Sequence, residues 1–103
     1  LRFIHANVDR KLQVTDVLEH VPLSRRLLEQ RFKNMTGMSI YSYISTLRME
    51  RFAYLLLSSN DSVSDIAARL DEFDTKSISR RFKAIKGYTP SEFRKIELRK
   101  LGV

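Results

Sequence analysis

The strongest constraint on this chain is that it repeats itself. Residues 24–33 (SRRLLEQRFK) and residues 75–87 (TKSISRRFKAIKG) share one pattern. Arg31-Phe32-Lys33 recurs as Arg81-Phe82-Lys83 about fifty residues further on, and Gly37 recurs as Gly87. Upstream, Val14-Thr15-Asp16-Val17-Leu18 matches Val63-Ser64-Asp65-Ile66-Ala67 with the register shifted by one. The extra residue falls between two matched helices, where a turn absorbs it. Downstream, Ser39-Ile40 lines up with Thr89-Pro90 and Tyr43 with Phe93. A chain of 103 residues is one domain, or two very small units sharing a core. A duplicated pair of helices in that length predicts a tandem of two helix–turn–helix units.

The repeated stretches divide cleanly at 100° per residue. In the first, Leu28, Phe32 and Met35 fall on one side and Arg26, Glu29, Gln30 and Lys33 on the other. In the second, Ile78, Phe82 and Ile85 oppose Lys76, Ser79, Arg80 and Lys83. Any amphipathic helix has two such faces. Arg25-Arg26 adds something more, because cations in a first turn oppose the helix dipole at a cost of roughly 0.3–1 kcal/mol each. A polyanionic partner is the simplest reason to keep them there.

Charge points the same way. Nineteen Lys and Arg against twelve Asp and Glu give a net charge of +7, and the pI is near 10.1. That balance suits nucleic acid or an anionic membrane surface. No apolar run approaches the roughly 18 residues of a membrane span, and no signal peptide is visible. Leu1 is not an initiator methionine, so the stretch reads as a domain cut from a longer protein. The lack of cysteine leaves no disulfide frame or thiolate metal site and permits a reducing cytoplasm. His5 and His20 stand alone without a second ligand at metal spacing, and read as structural. No nucleophile–base–orienter set or Gly-rich phosphate loop appears. The expectation is therefore no enzyme, no metal and no cofactor. The aromatics, among them Tyr41, Tyr54 and Phe73, read as core rather than as an RNA-stacking surface.

In chain order, residues 1–8 read as a short helix with Leu1, Ile4 and Val8 along one side. A helix over residues 14–21 follows, then Pro22 in a turn that the helix cannot continue through. Ser24 is the expected N-cap and Gly37 the left-handed terminator of the next helix. Residues 39–58 form the longest helical stretch, with Ile40, Ile44 and Leu47 as a stripe and residues 52–57 apolar nearly all round. Such a helix is buried between two bodies. About 20 residues span roughly 30 Å, slightly short of the roughly 34 Å between successive major grooves. A duplex read by two heads at its ends is thus expected to bend toward the protein. Ser62 to Asp65 reads as a capping box, and Thr89-Pro90-Ser91-Glu92 combines an N-cap, an N1 proline and an N3 glutamate. The architecture expected is all-α. About seven helices form two helix–turn–helix units over residues 1–38 and 61–103, joined by a linker helix over 39–60.

Through SRRLLEQRF at 24–32, Asp65-Ile66-Ala67, and RRFKAIKGYTPSEFR at 80–94, the chain resembles the DNA-binding domain of AraC/XylS-type transcription regulators. The match covers essentially the whole chain. In the first unit, VLEHVPLSRRLLEQRFK looks most like the xylose-type members. The resemblance implies a bacterial activator domain, cytoplasmic at the nucleoid, that places two recognition helices in adjacent major grooves of one DNA face. By motif position it assigns base readout to Arg26, Glu29 and Gln30 in the first unit and to Thr75, Lys76, Ser77 and Arg80 in the second. It also implies an N-terminal sugar-sensing domain outside this stretch and contact with RNA polymerase. The fragment reads as a monomer, since no dimerisation seam is visible. Two positions depart from the family pattern: Asp71-Glu72 replaces a Gly-Phe turn, and Ser77-Ile78 replaces an aromatic pair. The acids Asp71, Glu72 and Asp74 would either cap the second recognition helix or repel phosphates beside it, which predicts weaker base contacts in that unit.

The side chains suit the task. Arg26 can donate two hydrogen bonds to guanine, Gln30 can pair with adenine, and Glu29 can accept from cytosine N4. In an arbitrary helix the same residues would be a solvated face, and Glu29 would simply pair with Arg25 or Lys33. Ser24, Arg25, Lys33, Ser79, Lys83, Lys86 and Thr89 are the phosphate-contact candidates. The competing expectation is a basic helical adapter that grips an acidic protein through these faces.

Overall fold

The computed structural model describes residues 1–102; Val103, the last residue of the second unit as read from sequence, lies outside them. Seven helices and no strand are found among the described residues. They are α1 (Arg2–Ala6), α2 (Val14–His20), α3 (Arg25–Thr36), α4 (Ile40–Ser58), α5 (Val63–Arg69), α6 (Thr75–Lys86) and α7 (Pro90–Lys100). The radius of gyration is 15.1 Å and the extents are 47 × 24 × 22 Å. A compact chain of this length would have a radius near 13 Å, so the molecule is elongated.

Two separate cores account for the elongation. Ile4, Leu12, Val17, Leu28, Phe32, Ile40 and Ile44 bury one, with Leu47 packed against it. Met49, Phe52, Ala53, Leu55, Leu56, Ile66, Ala67, Leu70, Ile78 and Phe82 bury the other. Helix α4 feeds both, its first half the former and its second half the latter. Residue 48, at the changeover, is an arginine, and it is buried.

Local chemistry sets the helix ends. Ser24, Ser39, Ser62 and Thr89 accept hydrogen bonds from the backbone N–H three residues on. Thr89 and Glu92 close a reciprocal box, the Thr89 N–H donating to Glu92 Oε1 at 3.0 Å. Gly37 (φ 78°) and Gly87 (φ 87°) end α3 and α6 in the left-handed region, where a side chain would be strained. The turn from α2 to α3 is one residue shorter than that from α5 to α6, which places the extra residue where the repeat predicted it. The repeat extends into the packing. Phe32 meets Tyr43 edge-on at 5.2 Å, and the equivalent Phe82 meets Phe93 edge-on at 5.2 Å.

Several details differ from the sequence reading. The first helix is shorter than 1–8, and Leu1 is exposed rather than aligned with Ile4. Met35 is 63% exposed and Ile85 41%, because each lies in the last turn of its helix, beyond the end of the core that buries Phe32 and Phe82. Tyr41, Tyr54 and Phe73 also face outward; Tyr54 breaks the all-round apolar run of α4 and carries the Arg51 guanidinium over its ring. At Ser62 the serine does cap α5, and only this half of the expected box forms.

Candidate nucleic-acid interface

On α3, burial of Leu28 and Phe32 turns Arg26, Gln30 and Lys33 to the opposite, exposed side. On α6, burial of Ile78 and Phe82 does the same for Lys76, Arg80 and Lys83. These are equivalent positions of the repeat, so the molecule presents one polar face twice. Glu29 sits at the edge of the first face, half-buried. Ser24 uses an oxygen lone pair to cap α3, accepting from the Leu27 N–H at 3.3 Å, and keeps its O–H free to donate outward.

Thr75, Lys76, Ser79 and Arg80 line one shallow open depression with Asp74. Asp74 is the N-cap of α6, its carboxylate accepting from the Ser77 N–H at 3.1 Å. A side-chain oxygen there lowers the helix's positive end for its own backbone and spends one of the three acids on capping. Ser77 points elsewhere. It lines a cleft of about 490 Å³ between the two units, together with Arg25, Tyr41, Arg48, Glu72 and Arg81. Arg25 and Ser77 therefore share an inner wall, and the other candidates on α3 and α6 do not line it.

Two of the proposed phosphate donors are already engaged. Lys86 reaches from α6 to Glu50 on α4 and forms an ion pair there. Thr89 is committed to its box with Glu92, whose carboxyl is held below its ordinary range by hydrogen bonding, first from the Thr89 backbone and then from its hydroxyl.

Glu72 does not stand among exposed acids beside the recognition helix. It is 3% exposed and turned inward, accepting from Arg81 Nη2 at 2.6 Å with Arg48 3.6 Å away. Burial opposes the charge on the Arg48 guanidinium and pulls its pKa below the ordinary value, with Glu72 working in the other direction. Sequence reasoning missed this cluster, since Arg and Glu are ordinarily read as surface. The one available signal was a Glu at a turn position where the resembling family carries an apolar ring. Asp71, beside it, is the one non-glycine at positive φ (62°) among the described residues, a conformation Asp tolerates better than most.

Paired exposed faces on duplicated helix–turn–helix units, basic and opposite two small cores, define a tandem DNA-reading domain. The comparisons with known proteins agree. The family model "Helix-turn-helix domain" matches residues 17–96. The Msm operon regulatory protein of Streptococcus mutans is 35% identical over 91% of this chain and 34% of its own length. The HTH-type transcriptional activator AarP of Providencia stuartii is 31% identical over 91% of this chain and 70% of its own length. Among solved structures, the C-terminal domain of AraT, a response regulator from Geobacillus stearothermophilus, superposes with a TM-score of 0.85 at 27% identity, covering 92% of this chain and 79% of that one. The xylose-binding transcription activator xylR superposes at 0.77 and 29% identity, covering 91% of this chain and 25% of that one. The chain belongs to the AraC-type family of helix-turn-helix DNA-binding domains of transcription regulators. Its named relatives here are regulators of transcription, and it spans about a third of the Msm regulator's length. No helix among the described residues is long and apolar enough to cross a membrane.

Proposed function

We propose that this domain recognises a specific double-stranded DNA sequence by inserting α3 and α6 into adjacent major grooves on one face of the duplex. The observation that carries the reading is the equivalence of Arg26, Gln30 and Lys33 with Lys76, Arg80 and Lys83, each trio opposite a buried apolar pair. In this reading Arg26, Glu29, Gln30, Thr75, Lys76 and Arg80 address base edges, and Ser77 does so from the inner wall. Ser24, Arg25, Lys33, Ser79 and Lys83 hold phosphates. Lys86 and Thr89 contribute less, since an ion pair and a helix cap already occupy them. Residues 1–38 and 61–103 are the two reading units and 39–60 the strut.

The same reading places the domain in a bacterial activator of the cytoplasm, at the nucleoid, behind an N-terminal sugar-sensing domain and close enough to RNA polymerase to touch it. By itself the domain acts as a monomer and needs no cofactor. Selection from a random duplex library followed by competition with scrambled duplex tests it. A preference of about 10³-fold or more for the selected sequence is expected. Arg26→Ala should cost roughly 1–3 kcal/mol and relax the preference at one base pair. Binding indifferent to sequence would instead favour an adapter for acidic proteins.

A further inference from the structure

The two units share a single helix, and one helix between two separate cores is a poor guarantee of their mutual angle. The structure supplies a lateral brace. Arg48, at the changeover of α4, is 3% exposed. Its Nη1 donates to the Val8 carbonyl at 2.8 Å and to that of Arg10, both in the loop between α1 and α2. Its Nη2 donates to the Leu70 carbonyl at the end of α5 and faces Glu72 in the next turn. Glu72 in turn accepts from Arg81 on α6. The backbone of that turn is fixed as well, the Glu72 N–H donating to the Ala67 carbonyl at 2.8 Å. Alongside, the Lys11 N–H approaches Asp71 Oδ2 at 3.5 Å. Contacts therefore run without a break from a loop of the first unit, through Arg48 and Glu72, to the recognition helix of the second.

We propose that Arg48, Glu72 and Arg81 are positioning residues that fix the separation and rotation of α6 relative to α3, and so set the spacing of the two DNA elements the domain accepts. An apolar contact at this boundary could slide. A carboxylate held between two guanidiniums, one of them tied to carbonyls of both units, has one good geometry. Removing the charge of Glu72 leaves Arg48 buried without its counter-ion, which favours a rearranged, looser boundary over the native one.

The chain has no cysteine, so nitroxide labels on cysteines introduced at the exposed Met35 and Ile85 report the α3–α6 distance in the DNA-free domain by pulsed electron paramagnetic resonance. A single narrow distribution is expected for the parent and a broadened or shifted one for Glu72→Gln. Arg81→Gln, at a partly exposed position that leaves the Arg48–Glu72 pair in place, should broaden it as well and decides the matter if Glu72→Gln does not fold. Unchanged narrow distributions in both variants would overturn the proposal.

A second arm rests on the DNA-reading function proposed above. Adding one base pair between the two recognised elements moves the second by about 3.4 Å and turns it by about 34°. The parent should lose about tenfold in affinity, the scale of a lost base contact, whereas Glu72→Gln should lose less than about threefold relative to its own best site. An identical spacing profile in the variant counts against the brace. A parent with no spacing preference, combined with a broadened distance in the variants, counts against the DNA reading and leaves the brace standing.

Discussion

Lys83 and Lys86 lie one turn apart on α6, both read from sequence as phosphate contacts, and the structure separates them. Lys83 is exposed on the face shared with Lys76 and Arg80, whereas Lys86 is tied to Glu50 of α4. The exposed cations among the candidate contacts on the two reading helices are then Arg25, Arg26, Lys33, Lys76, Arg80 and Lys83. If each neutralises one phosphate, counterion release at about 0.9 per phosphate gives a log–log salt slope near −5. Affinity should fall by roughly 10³ between 50 and 200 mM salt. Lys83→Ala should make the slope shallower by about 1. Lys86→Ala should change it by less than about 0.3, because its charge is already balanced by a carboxylate of its own chain. Fluorescence anisotropy of a labelled duplex, titrated at several salt concentrations, reads both. Equal loss of slope in the two variants would refute the assignment of Lys86 to Glu50, and a parent slope near zero would remove DNA as the partner.

Three further outcomes follow from the packing and the caps. Phe82→Ala empties a fully buried site between Phe52 and Phe93 and should cost about 3–5 kcal/mol, a large share of the roughly 5–15 kcal/mol a domain of this size has; a loss below about 1 kcal/mol in urea denaturation followed by circular dichroism would contradict it. Because the folded pKa of Glu92 is lowered, its contribution is fully present above the unfolded value of about 4.3 and disappears as pH falls through the lower folded value. The protection of amides in the first turn of α7, taken relative to their intrinsic exchange rate at each pH, should therefore fall at acid pH in the parent and stay flat in Glu92→Gln. The 19 residues of α4 span about 28 Å, less than the roughly 34 Å of one duplex turn, so a circular-permutation gel assay should show bent DNA, and phasing against an A-tract should direct the bend toward the protein; a straight complex would argue against two heads in successive grooves.

Much of the fold was legible in the sequence, because its signals are local. Ser24, Ser39, Ser62 and Thr89 cap helices from a few residues away, Gly37 and Gly87 end them, and the recurrence of Arg-Phe-Lys fixed the tandem. Helical period also put Arg26, Gln30, Lys76 and Arg80 on exposed faces. It cannot say where a core stops, which is why it assigns the exposed Met35 and Ile85 to the apolar side. Nor could it see pairings between distant segments. Arg48 with Glu72, Arg81 with Glu72 and Lys86 with Glu50 join residues 24, 9 and 36 positions apart, and each involves types that a sequence reader assigns to solvent. Motif position puts Ser77 with its neighbours, yet the turn of α6 sends it toward Arg25 and the inner cleft.

The central premise is that one molecule carries two like probes on one side of a stiff strut. Hydroxyl-radical footprinting of a single domain on its selected duplex examines it directly. Two protected patches on the same face of the DNA, about one helical turn (roughly 34 Å) apart, are expected. One patch alone, or two on opposite faces, would mean that α3 and α6 do not read the duplex together.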